Sequence, residues 1–180
     1  HRRQRQMCIR DSPNLRQALA VSLNRSEISE RVSYGLRHPL RALVPPSLAG
    51  GAMAPWPEHN PEQARELLQA AGYCNGSTLR FPLTFRSNVP ADKLLALTWQ
   101  AQVQRDLSDC LVLDLDGVES TTIYRQLGEG AFKAVMLDWR GSYPDPEAYL
   151  TPLLSCTSVE GNICMEGELS LIHISEPTRP

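Results

Sequence analysis

From residue 61 to residue 137 the apolar pattern alternates between a helical period and a strand period. Ala64, Leu67, Leu68 and Ala71 recur at i, i+3, i+4 and i+7, the spacing of one helix face. Asn60 suits the N-cap, Pro61 the first helical position, Gln63 the capping-box position and Gly72 a left-handed C-cap. Leu79, Phe81, Leu83 and Phe85 then alternate with period two, and Pro82 suggests an edge strand. Residues 90–107 read as a helix, 111–115 as a short strand and 119–127 as a short helix. Within 132–137 the unbroken run Ala134, Val135, Met136, Leu137 predicts a strand buried on both faces. Strands separated by helices need crossover connections, so the chain should build an α/β sheet flanked by helices.

The N-terminal part reads differently. Leu15, Ala18, Leu19 and Ser22 share one face of a helix over 14–23, and Asn24 to Glu27 forms a capping box that restarts a helix through about Val32. From His38 to Pro61 the prolines at 39, 45, 46, 55 and 57, with Gly50 and Gly51, predict a long loop. The formal charge of −2 gives no basic excess to argue for nucleic acid, and no apolar run approaches 18 residues.

Both ends of the chain break the pattern. Residues 7–12 (MCIRDS) can be encoded by DNA whose reverse complement encodes residues 169–174 (LSLIHI). That inverted repeat resembles the transposon end used in sequencing-library adapters, and the flanking RRQRQ and SEPTR match the two adapter arms. The expectation is that 1–12 and 169–180 are adapter-derived and that 13–168 is native sequence. The native stretch then carries 13 basic and 18 acidic residues, a balance of −5, and four of the five cysteines. A gene cut at both ends also makes the missing signal peptide uninformative about localisation.

Five motifs in order carry a family resemblance: LRQAL at 15–19, NRSEI at 24–28, LVPP at 43–46, NPEQARELL at 60–68 with AAGY at 70–73, and DWRGSYPDP at 138–146. Together they are similar to the extracytoplasmic solute-binding proteins of ABC importers in the dipeptide, oligopeptide and nickel-binding family. The resemblance implies a periplasmic-binding-protein-like lobe, a mixed sheet flanked by helices, incomplete because the family's chains are much longer. It implies a non-enzymatic protein without a cofactor, in the periplasm or another extracytoplasmic location, with or without a lipid anchor. Its partners would be a peptide or peptide-like solute, captured in a cleft between lobes, and a membrane permease; the protein would be a monomer that binds no nucleic acid.

The resemblance also implies site residues. Arg86, at the end of a strand, aligns with an arginine that pairs with a ligand carboxylate, a task suited to a guanidinium fork. A solvated loop arginine is the alternative. Trp139, Arg140 and Ser142 follow the third strand, where α/β sheets present ligand-binding loops. Ser142 stands where peptide binders carry an aspartate for the ligand's ammonium, so the expected ligand has a carboxylate and a blocked, uncharged or displaced amine. Asp138 or Asp145 could replace that aspartate, or could serve as capping or solvated acids. Trp139 is a cleft wall or a core residue. Cys156 and Cys164 resemble a short disulfide loop of the dipeptide-binding branch, with free buried thiols as the alternative; a Cys74–Cys110 pair stays open.

Two other functions compete. Asp138, Asp145 and Glu147 near a strand end could form the acid pair of a carboxylate-dependent hydrolase, although no nucleophile elbow, P-loop or HExxH occurs. A peptide-sensing accessory protein would use the same cleft without a permease. His38 and His59, isolated in the proline-rich loop, make no metal pattern.

Overall fold

The computed structural model describes residues 12–40, 42–49, 51, 56–127, 131–154, 159–160 and 163–164, with side chains to residue 151. The chain opens with α1 (Pro13–Val21) and α2 (Arg25–Ser33), followed after the proline-rich loop by α3 (Pro61–Ala70). An alternating unit then follows: β1 (Leu79–Arg86), α4 (Pro90–Leu107), β2 (Leu111–Val118) and α5 (Ser120–Leu127). Helix α6 (Glu147–Leu154) and the short antiparallel pair β3 (Val159–Glu160) and β4 (Ile163–Cys164) complete the described elements.

Helix ends lie where their side chains satisfy orphan backbone groups. Asn60 Oδ1 accepts from the Gln63 N–H at 3.0 Å, and Pro61 begins α3 without wasting a donor. At the other end Tyr73 N–H donates to Leu68 O and Gly72 N–H to Gln69 O, both at 2.9 Å, a Schellman closure. Gly72 adopts the φ of +89° that this closure needs. Helix α1 stops at Val21 rather than residue 23, with the buried Ser22 as its C-cap and the Ser22 hydroxyl donating to Leu19 O at 2.8 Å.

The capping box at 24–27 is closed by a third residue. Asn24 Oδ1 accepts from Glu27 N–H at 3.0 Å as expected. The reciprocal arm is different: Asn24 N–H donates to Gln102 Oε1 at 3.1 Å, while Gln102 Nε2 donates to Glu27 Oε2 at 3.0 Å. Gln102, buried in α4, thus ties two helices together through their polar groups.

Strands β1 and β2 are parallel, with Leu79 opposite Leu111 and Arg86 opposite Val118. Leu79, Phe81 and Leu83 of β1 and Leu111 and Leu113 of β2 face one core with Leu15 and Leu19 of α1, Ala64 and Leu68 of α3, and Val103 and Leu107 of α4. A third segment pairs with the other edge of β1: Thr84 N–H donates to Ala134 O at 2.9 Å and Met136 N–H to Thr84 O at 2.8 Å, around a parallel Thr84–Val135 bridge.

Two expectations are corrected here. Pro82 does not mark an edge strand, because β1 has neighbours on both sides. In a parallel strand alternate residues address opposite neighbours, so Pro82, like Thr84, addresses the third segment, where it has no N–H to give. Pairing there is confined to Thr84, and the run 134–137 forms one bridge in place of a full strand. The same run is half-buried rather than buried on both faces. The pairings of this sheet are all parallel; the antiparallel pair β3–β4 is separate from it.

A disulfide joins Cys74, in the turn after α3, to the fully buried Cys110 at the start of β2, with Cα atoms 4.1 Å apart. It settles the pairing that the sequence left open. Cys156 lies outside the described residues, as does the side chain of Cys164, and so does the loop expected between them. Most of both expected adapter segments also lies outside them; Ser12, at the margin, caps α1 through its hydroxyl.

Candidate ligand site at the strand ends

The strand order is β2, β1, then the 134–136 segment. From β1 the chain crosses by α4 to one side, then by α5 to the other. Such a reversal leaves a crevice beyond the carboxyl ends of the two diverging strands, the usual ligand position in open α/β sheets. Arg86 ends β1 on one lip of that crevice, and residues 138–142 leave the third segment on the other.

Arg86 is buried, its side chain 8% exposed, and its fork is filled. Nε donates to Asp92 Oδ2 at 2.6 Å and Nη2 to Asp92 Oδ1 at 3.0 Å, a bidentate pair with the first turn of α4. Nη1 donates to Tyr124 Oη of α5 at 3.2 Å and to Asp138 Oδ1. Hydrogen bonding to Asp92, then to Tyr124 and Asp138, raises the guanidinium pKa against the opposing effect of burial. The Asp138 carboxyl is held below its ordinary range, first by the Arg86 hydrogen bond and further by the charges of Arg86 and Arg140. Arg86 is therefore neither a solvated loop arginine nor a vacant fork.

The other expected residues divide between frame and surface. Asp145 Oδ1 accepts from Glu147 N–H at 2.8 Å and is spent on the turn that starts α6. Trp139 Nε1 donates to Ala148 O at 2.8 Å, which pins the loop to α6 while the ring stays partly exposed. Gly141 permits this approach: a Cβ there would lie 2.7 Å from the Tyr149 ring and 3.2 Å from Ala148 Cβ. Arg140 and Ser142 are exposed on the same loop. Asp92 and Tyr124 were absent from the sequence reading. Asp92 carried one legible signal, an acid in the first turn of a helix, which explains itself as dipole compensation; Tyr124 carried none. Among the described residues no three His, Cys, Asp or Glu side chains gather as metal ligands.

A sequence profile of the bacterial extracellular solute-binding proteins, family 5 Middle, matches residues 8–161. The chain belongs to that family. Its members are extracytoplasmic substrate-binding proteins of ABC importers, and their lobes share this architecture. The glutathione-binding protein GsiB of Escherichia coli K12 is 29% identical over 148 residues, 81% of this chain and 28% of the relative. OppA of Haemophilus influenzae, solved with the peptide RPPGFSPFR, superposes with a TM-score of 0.73 at 22% identity, over 87% of this chain and 31% of that one. The murein tripeptide binding protein MppA of Escherichia coli superposes at 0.69 with 24% identity, over 81% and 29%. The chain thus spans about 28% of the length of the curated relatives it matches.

Proposed function

We propose that this family 5 chain is part of the ligand-binding lobe of an ABC importer's substrate-binding protein, capturing a peptide or peptide-like solute and handing it to a membrane permease. The observation that carries this reading is the contact of Arg86 with Asp138 where β1 and the third segment end side by side. Binding without bond making needs complementary charge and hydrogen bonds, which the cluster offers. The disulfide suits an oxidising, extracytoplasmic compartment. Residues 13–168 are the native part of the lobe in this reading, and the termini are adapter translation.

The ligand class follows from what the loop residues do. Arg86 receives a carboxylate. Ser142 is neutral, Asp145 holds the α6 turn and Asp138 is either held by Arg86 or, once displaced, turned to solvent, so a free ammonium has no acid waiting for it. The solute then carries a carboxylate and a blocked, uncharged or displaced amine. Calorimetric titration of the protein from the uninterrupted gene, with a dipeptide, its N-acetyl form and its C-terminal amide, tests this. Binding should survive acetylation and fail on amidation. The reverse pattern would reject the assignment.

A further inference from the structure

Arg86 holds its two acids unequally. Asp92 gives both oxygens to Nε and Nη2, and its side chain is 14% exposed. Asp138 meets only Nη1, through one oxygen, and its side chain is 59% exposed. Asp92 is therefore a fixed counter-ion, anchored six residues on in the first turn of α4. Asp138 is the outer partner, carried on a loop that reaches Arg86 from 52 residues away in sequence.

A carboxylate entering from solvent meets Nη1 on the side that Asp138 occupies. We propose that Asp138 is an internal stand-in for the ligand carboxylate, exchanged for it when solute binds. This rests on the proposed function, whose site it shares.

The charges make the exchange workable. Asp92 alone neutralises Arg86, so anion must replace anion; adding a second outer carboxylate would leave two like charges on one nitrogen. Once released, Asp138 has solvent on its open side and the charge of Arg140, two residues on, already acting on it. Tyr124 Oη, 3.2 Å from Nη1, can turn its proton to the incoming oxygen. An internal acid competes at high effective concentration, because its loop is pinned to α6 by the Trp139–Ala148 hydrogen bond. Asp138 thus sets a threshold that a weakly bound carboxylate does not cross.

The test uses the 180-residue chain and acetate, and needs no knowledge of the natural ligand. The Arg86 side-chain Nε–H resonance is followed by NMR as acetate replaces chloride at constant ionic strength. Asp138→Asn should strengthen the acetate response about tenfold over the unsubstituted chain, with methylammonium silent in both. Asp138→Ala should do the same if the amide of the asparagine occupies the space. Equal or weaker acetate binding in both variants would overturn the exchange. So would loss of fold in both, which would make Asp138 a structural partner. A methylammonium response that vanishes in Asp138→Asn would make it a receiver of cations and overturn the proposal as well. Failure of the complete protein to bind any peptide, with the acetate effect intact, would instead reject the transport reading alone.

Discussion

Gln102 is buried, yet its amide is satisfied on both ends by Asn24 and Glu27. Gln102→Leu keeps the volume and strands the Asn24 N–H, so unfolding free energy should fall by about 1–3 kcal/mol in urea titration. Gln102→Glu should be worse at neutral pH, because it faces Glu27, and should recover on acidification. Unchanged midpoints in both would remove the relay. A second residue-scale expectation concerns acid. The folded-state pKa of Asp138 is depressed, so its contribution is present above the unfolded value of about 4 and is lost as pH falls through the folded value. Asp138→Asn should therefore show a shallower loss of stability below about pH 4 than the unsubstituted chain. An identical pH profile would mean that the Arg86 contact is absent in solution.

At the scale of elements, the disulfide closes a loop between residues 36 apart and joins α3 to β2. Replacing Cys74 and Cys110 by alanine should lower unfolding free energy by about 3–4 kcal/mol on the chain-entropy account. Peptide mapping of the oxidised protein should recover the Cys74–Cys110 link; two alkylated thiols would contradict it. Helix α3 and strands β1 and β2 were legible because caps and periodicity are written locally: Asn60, Pro61 and Gly72 bracket one helix within 13 residues. The segment 132–137 was not, because a strand exists only through its neighbour, and what its neighbour offered depended on where Pro82 pointed. The site was half legible for the same reason. Asp138 stood in a recognisable motif and Arg86 at the end of an alternating strand, whereas Tyr124 joins them only when a crossover brings residues 38 apart together.

Across the whole molecule, several apolar side chains remain exposed. Tyr124, Trp139, Tyr143 and Leu150 are about half exposed, as are Leu40 and Trp56 of the proline-rich loop. Exposed apolar side chains of this kind suit a lobe that meets a partner surface. A longer protein that carries this segment beside the rest of its family's length should bury these rings, read as a lower tryptophan emission wavelength than in the 180-residue chain. An equal wavelength would leave Trp139 outside any interlobe surface. The most direct measurement is a crystal structure of that longer protein with a bound peptide. The ligand should lie beyond the C-terminal ends of β1 and the 134–136 segment, with a carboxylate oxygen about 3 Å from Arg86 Nη1 and Asp138 turned away. A ligand bound elsewhere, with Arg86 still holding both Asp92 and Asp138, would contradict it.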